Sequence, residues 1–182
     1  MPNTTVTLHD KTFVPYLSEE KIKDRLVELG QKISLEYKDK NPLLLAVLNG
    51  SFVFAADLMR AIDIPAHISF IRLASYKGTK SSGRIQEVVG LYEDITDRHV
   101  IVVEDIVDTG RTMEHLLNTL AGQGAASVEV ATLLHKPEAT EAVLDLRYVG
   151  FTIPPKFVVG YGLDYDGLGR NLPALYCLAS EA

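Results

Sequence analysis

Cysteine is almost missing from the chain: Cys177 stands alone among 182 residues. One thiol cannot close an intramolecular disulfide, and no cysteine cluster offers a zinc site. Its neighbours in the apolar run Leu175-Tyr176-Cys177-Leu178 mark it as a buried thiol and not a nucleophile. The N-terminus lacks the basic region and apolar run of a signal peptide, and no apolar stretch is long enough to span a bilayer. The expectation is a reducing, cytoplasmic setting with no membrane partner. Basic charge is scarce as well. Lys and Arg total 18 against 24 Asp and Glu, a net charge of −6. A sequence-independent nucleic-acid binder would show a basic excess or a Lys/Arg stripe, so no nucleic-acid partner is expected. Small phosphorylated ligands stay open, because loops of backbone N–H groups and Mg²⁺ hold those.

Repeats, low-complexity tracts and linker-like composition shifts are absent too. At 182 residues, with 47% apolar and 23% charged, residues 1–182 are expected to form one domain. Strand and helix patterns alternate along it. Ser18 is placed to cap a helix carrying Ile22, Leu26, Leu29 and Ile33 on one face. Residues 43–48 are continuously apolar, as in a strand covered on both sides. Asn49-Gly50 breaks that run, and a helix is expected from Ser51. Strands are expected over 66–73, 85–92, 100–103 and 128–134, with shorter ones over 157–159 and 175–178. A polar stretch, 75–84, separates two of them. The strand at 100–103 runs into a loop over 104–111 and a helix over about 112–120, which Gly122 and Gly124 punctuate. This alternation predicts an open parallel α/β sheet, with ligands beyond the carboxyl ends of its strands.

The chemistry concentrates in Val102-Val103-Glu104-Asp105-Ile106-Val107-Asp108-Thr109-Gly110-Arg111-Thr112. A buried strand ends in two adjacent carboxylates, and a third carboxylate, two threonines and a glycine follow. Gly110 lets the backbone turn tightly against a ligand. Thr109 and Thr112 supply hydroxyls, and the free N–H groups of the loop and first helical turn suit an anion. Glu104 and Asp105 would repel that anion, so they make better sense beside sugar hydroxyls or facing Mg²⁺ through water. An ordinary strand–loop–helix connection explains one capping acid, but not three acids and a Thr-Gly-x-Thr turn behind a wholly apolar strand.

This segment closely resembles the phosphoribosyl-pyrophosphate motif of type I phosphoribosyltransferases. It looks most like the hypoxanthine-guanine branch, whose motif reads Val-Glu-Asp-Ile-x-Asp-Thr-Gly-x-Thr. The resemblance extends from about Leu43 to Arg170. It implies an open, mainly parallel twisted sheet with helices on both faces, plus a small hood. It also implies transfer of phosphoribosyl from phosphoribosyl pyrophosphate to hypoxanthine and/or guanine, with Mg²⁺ as cofactor and a homo-oligomer, dimer or tetramer. By the same resemblance Glu104 and Asp105 face the ribose hydroxyls and a Mg²⁺. Asp108, Thr109, Gly110, Arg111 and Thr112 hold the 5′-phosphate, and Asp108 lies under the purine N7 as general base.

Other positions gain roles from the resemblance. Leu48-Asn49-Gly50 is by itself a turn signal. In the family the matching tripeptide forms the pyrophosphate loop, often with a non-proline cis peptide, and often with Lys where Asn49 stands. Ser75 and Tyr76 match the start of a catalytic lid that shields an oxocarbenium-like carbon from water; a solvated hairpin tip fits the same composition. Lys136 is otherwise a solvated strand-end lysine. The resemblance sets it against the purine O6, and an ammonium, which only donates, suits a carbonyl and not an amino group. His135 beside it is incidental. Phe157 is expected to stack on the base and the Val158 backbone to reach its edge. Asp164 would hold a second Mg²⁺ on the pyrophosphate, and Arg170 would grip the pyrophosphate oxygens. Gly162 stands where relatives often carry Ala. Two look-alikes fail: Gly160-Tyr161-Gly162-Leu163-Asp164-Tyr165 lacks the third glycine of a dinucleotide fingerprint, and no Gly-x-x-x-x-Gly-Lys-Ser/Thr loop accompanies the acidic strand. A regulator that binds nucleotides without turnover is the rival of another class, and a xanthine- or adenine-preferring enzyme the rival within this one. The retained acids and the missing basic face argue against the regulator.

Overall fold

The computed structural model describes residues 4–75 and 85–181. It opens with β1 (Val6–Leu8) and β2 (Lys11–Leu17), an antiparallel pair with no counterpart in the sequence reading. Ser18 then caps α1 (Glu19–Glu36), its hydroxyl accepting from the Lys21 N–H, while Glu19 and Glu20 favour the positive end of the helix. Ile22, Leu26, Leu29 and Ile33 are buried on one face, as their spacing predicts. β3 (Leu43–Leu48) leads into α2 (Phe52–Ala61). The two helices approach so closely at Gly30 that a Cβ there would lie 2.3 Å from the Ala61 carbonyl oxygen.

β4 (His67–Ser75) and β5 (Ile85–Val89) follow, then β6 (His99–Val107), α3 (Arg111–Ala121) and β7 (Ser127–His135). β8 (Tyr148–Thr152), β9 (Val158–Val159) and β10 (Leu175–Leu178) complete the strands, and a 3-10 turn spans Ala179–Glu181. The main sheet has the order β5-β4-β3-β6-β7-β8, parallel throughout except for β5, which runs antiparallel to β4. The second sheet, β1-β2-β10-β9, is wholly antiparallel and forms the hood.

Helices cover both faces of the main sheet. Leu44, Ala46, Ile101 and Val103 pack with α1 and α2, while Leu43, Leu45, Val100 and Val102 pack with Met113, Leu116 and Leu120 of α3. Successive strand residues point to opposite faces, so a strand covered on both sides must be apolar at every position. Phe13, Val159, Ala174 and Tyr176 form a smaller cluster in the hood. Cys177 is buried, as expected.

Several boundaries differ from expectation, and β4 runs on to Ser75 instead of residue 73. The strand expected over 100–103 runs to Val107, because its pairing with β7 continues as far as Val107↔His135. Glu104 and Asp105 therefore sit in the sheet, and the loop expected over 104–111 shrinks to 108–110. β5 ends at Val89 instead of residue 92, and β9 excludes Phe157. β8 was not expected. The polar stretch from residue 76 to 84, with Tyr76 and most of the expected lid, lies outside the described residues.

Candidate active site

Three connections meet at the carboxyl edge of the main sheet, where open α/β sheets receive ligands. β3 ends at Leu48, and the Leu48–Asn49 peptide is cis. Gly50 then passes so near β6 that a Cβ on it would lie 1.5 Å from Asp105 Oδ2. β6 supplies Glu104 and Asp105, then Asp108 and Thr109. Gly110 turns the chain into α3 with φ 78, in the left-handed region that favours glycine. A cavity of ≈ 130 Å³ opens here, lined by Glu104, Ile106, Asp108, Thr109, Gly110 and Thr112 among others. It adjoins the N-terminus of α3, where first-turn N–H groups lack intrahelical partners and suit a small anion. The Arg111 guanidinium is turned elsewhere and pairs with Glu141 at 2.5 Å.

β7 delivers Lys136. Its N–H bonds to the Val107 carbonyl at 3.0 Å, and its nearly buried ammonium reaches the Asp108 carboxylate at 2.8 Å. A second cavity of ≈ 260 Å³ is lined by Asp105, Asp108, Lys136, Phe157, Val158 and Asp164, with Ile106 and Leu163. Phe157 remains 38% exposed. Its ring centroid lies 6.1 Å from Phe13 and 5.9 Å from Tyr165, and the Lys11 ammonium lies 5.6 Å from it. The backbone of Phe157 is tied at both ends: its N–H donates to Glu181 at 2.6 Å, and its carbonyl accepts from the Leu178 N–H at 3.0 Å.

The acids are held in unequal surroundings. Glu104 Oε2 is sealed from solvent and has no hydrogen-bond partner. Burial, then the adjacent Asp105 carboxylate, pushes Glu104 well above the usual carboxylate range. Burial also pushes Asp105 up to about 6, although the Ile106 N–H bonds its Oδ1 at 2.8 Å and Arg170 pulls the other way. Asp164 pairs with Arg170 at 2.6 Å and accepts the Gly167 N–H at 2.7 Å. The second guanidinium nitrogen of Arg170 donates to the Gly162 carbonyl at 2.7 Å. Glu104, Asp105 and Asp164 do not form a ready three-ligand metal cluster; among the described residues there is none.

The structure thus gathers Glu104, Asp105, Asp108, Thr109, Gly110, Thr112, Lys136, Phe157, Val158 and Asp164 around two adjoining cavities. Gly50 and Arg170 lie against Asp105 and Asp164. Ser75 ends β4, and Tyr76 falls outside the described residues. Sequence reasoning missed Thr140, whose hydroxyl lies 2.8 Å from both the Asp108 and Lys136 carbonyl oxygens. It also missed Lys11, Phe13 and Glu181, which support Phe157 from the two chain ends. No local pattern marks them, because their contacts exist only once the hood has assembled.

Fold and edge together define the class: an open α/β sheet with its loop-lined cavities gathered at the carboxyl ends of the strands. The model of the phosphoribosyl transferase domain matches residues 16–166. The chain belongs to that family. A hypoxanthine-guanine phosphoribosyltransferase of Lactococcus lactis is 43% identical over 166 residues, covering 91% of this chain and 90% of the relative. The structure of a hypoxanthine phosphoribosyltransferase of Trypanosoma cruzi, in complex with the product IMP, superposes with a TM-score of 0.87 at 35% identity, covering 97% of this chain and 99% of that one. Against the bifunctional TilS/HprT protein of Listeria innocua, 38% identical over 96% of this chain, the chain spans 27% of the relative's length.

Proposed function

We propose that the protein transfers phosphoribosyl from phosphoribosyl pyrophosphate to N9 of hypoxanthine and/or guanine, giving IMP or GMP and pyrophosphate in purine salvage. One observation carries this reading: Asp108 lines both cavities at once, the small one beside the start of α3 and the larger one between Lys136 and Phe157. A phosphate in the first and a planar base in the second would put the sugar between them, beside Glu104 and Asp105.

The 5′-phosphate takes the N–H groups of the loop and of Arg111 and Thr112, with the Thr109 and Thr112 hydroxyls. Glu104 and Asp105 accept from the ribose hydroxyls. Phe157 stacks on the base, and the Val158 backbone meets its edge. Lys136 already holds Asp108 and has donors left for O6, since an ammonium carries three. Asp108 takes or shares the N7 proton as the N9–C1′ bond forms and the bond to pyrophosphate breaks. Leu48, Asn49, Gly50, Asp164 and Arg170 face the pyrophosphate. Holding base and donor in one orientation removes much of the entropic barrier.

The acids fit Mg²⁺. Glu104 Oε2 lacks a partner, burial disfavours the unneutralised Asp105 carboxylate, and every donor is a hard oxygen. Glu104 and Asp105 would hold one Mg²⁺ beside the ribose, and Asp164 a second on the pyrophosphate. When bound, Mg²⁺ neutralises the charge of the departing pyrophosphate. Residues 1–182 are read as one domain of a cytoplasmic homo-oligomer, dimer or tetramer; among the described residues no helix is long and apolar enough to cross a membrane. The test is steady-state kinetics with hypoxanthine, guanine, xanthine and adenine, each with Mg²⁺ and phosphoribosyl pyrophosphate. Turnover on hypoxanthine or guanine supports the reading. Preference for xanthine or adenine moves the specificity, and no consumption with any base overturns it.

A further inference from the structure

Gly160, Tyr161 and Gly162 have φ values of 99, 48 and 102, three successive residues in the left-handed region. Glycine adopts it freely, whereas a tyrosine rarely does. The backbone of this turn is fixed at each step. Gly160 and Leu163 exchange hydrogen bonds at 3.0 Å, the Tyr161 N–H reaches the Leu172 carbonyl at 2.8 Å, and the Gly162 N–H reaches the Arg170 carbonyl at 3.0 Å. The turn then does two things for the site. Its Gly162 carbonyl accepts from the Arg170 guanidinium, and Gly162 itself presses on the Gly50 carbonyl oxygen, which a Cβ would meet at 2.2 Å.

A side-chain bond ties this turn to α2. The ring of Tyr161 is buried in the main core, and its hydroxyl donates to Asp57 Oδ2 at 2.6 Å. Asp57 stands on α2, the helix that begins directly after Asn49-Gly50-Ser51. Its other oxygen takes the exposed Arg60 guanidinium at 2.7 Å. Asp57, Tyr161 and Arg170 also share one cavity of ≈ 350 Å³ behind the turn. Helix α2 therefore reaches the pyrophosphate end by two routes, through Gly50 at its start and through Asp57 and Tyr161 farther along.

We propose that the Tyr161 hydroxyl, bonded to Asp57, is a positioning device that sets Arg170 and Gly50 for the pyrophosphate group. The proposal rests on the phosphoribosyl-transfer reading and assigns no contact with substrate to either residue. A phenol held by a carboxylate is a strong, directional tie. Without it, the turn keeps its backbone bonds but loses its fixed distance to α2, and the guanidinium loses its aim.

The test compares Tyr161→Phe, Asp57→Asn, Asp57→Ala and the Tyr161→Phe/Asp57→Ala double variant with the wild-type chain. KM is measured for phosphoribosyl pyrophosphate and base in the forward direction and for pyrophosphate in reverse, with melting temperature on the same samples. Tyr161→Phe keeps the ring in the core, and is expected to raise both phosphate KM values about tenfold while leaving the base KM unchanged. Asp57→Asn keeps an acceptor and is expected to restore near wild-type phosphate KM values; Asp57→Ala is expected to match Tyr161→Phe. The double variant should be no worse than either single one, as for two ends of one bond. A lowered melting temperature with unchanged phosphate KM overturns the proposal, and so does an equal rise in the base KM. Should Tyr161→Phe not fold, the Asn and Ala variants of Asp57 carry the same comparison. A wild-type chain inactive on every purine overturns the phosphoribosyl reading, and the proposal with it; an active wild type with these negative results overturns the proposal alone.

Discussion

Asp108 is exposed and holds the Lys136 ammonium at 2.8 Å, whereas Asp105 on the same connection is shut in with Glu104 and pushed up to about 6. The two acids therefore call for opposite predictions. Asp108→Asn keeps the size and an oxygen that accepts from Lys136, so phosphoribosyl pyrophosphate should still bind. It cannot take the N7 proton, and a loss of roughly 10²–10⁴ in both kcat and kcat/KM is expected. A variant with lower melting temperature but near-normal single-turnover rate would remove the general-base role. Asp105 titrates against folding. Its folded value lies above the ordinary 3.8, so the folded state binds the extra proton between about pH 4 and 6, and stability falls as pH rises through that window. Above it the ionised carboxylate is a standing penalty, at most about 3 kcal/mol. Asp105→Asn should thus raise the melting temperature of the ligand-free protein at pH 7–8 and flatten its dependence below pH 6, while weakening binding of phosphoribosyl pyrophosphate with Mg²⁺. A melting temperature lowered equally at pH 4 and pH 8 would contradict this.

At the scale of elements, the connection from β6 to α3 depends on Gly110. A Cβ there would be held at φ 78 and meet Leu144 Cδ1 at 2.8 Å. Gly110→Ala is expected to destabilise by about 1–2 kcal/mol. It should also raise KM for phosphoribosyl pyrophosphate but not for the base; an unchanged phosphate KM would take the phosphate out of this loop. This connection was the most legible part of the sequence, because acids and a Thr-Gly-x-Thr turn behind an apolar strand have few structural explanations. Its boundary was misread because Glu104 and Asp105 look like loop residues. They are in a strand, since pairing with β7 continues past the last valine of the run. Buried parallel strands such as Leu43–Leu48 announce themselves by being apolar at every position. β8 does not, with burial alternating along Tyr148–Thr152 and its partner found only in the folded sheet. β1 and β2 are silent for the same reason: β2 pairs with β10, setting Val14 against Cys177 across nearly the whole chain. The tyrosine–aspartate tie of Tyr161 and Asp57 is also long-range, and no spacing rule reaches it.

At the scale of the whole molecule, the two sheets divide the labour. The main sheet brings the acids and the phosphate loop to one edge, and the hood backs Phe157 with Phe13, Tyr165 and Lys11. The acids also explain how metal and substrate should bind together. A cage of three protein ligands would capture Mg²⁺ alone, but none exists among the described residues. Burial pushes both Glu104 and Asp105 above the usual carboxylate range, and Asp105 adds to the effect on Glu104; a proton on either competes with a lone cation. On the proposed reading, phosphoribosyl pyrophosphate would bring the missing oxygens, and a cation would offset the repulsion between those oxygens and the acids. Each should therefore bind poorly without the other. In thermal melts, Mg²⁺ alone or phosphoribosyl pyrophosphate in chelator is expected to shift the melting temperature little. The two together, at about 100 times the joint Kd, should stabilise by roughly 2.7 kcal/mol, or about 5–10 °C for a chain of this size. Turnover should vanish in excess chelator and return when Mg²⁺ is added back. A full shift with Mg²⁺ alone would mean that the protein holds a complete metal site, and full activity in chelator would mean that the acids serve the ribose without a metal.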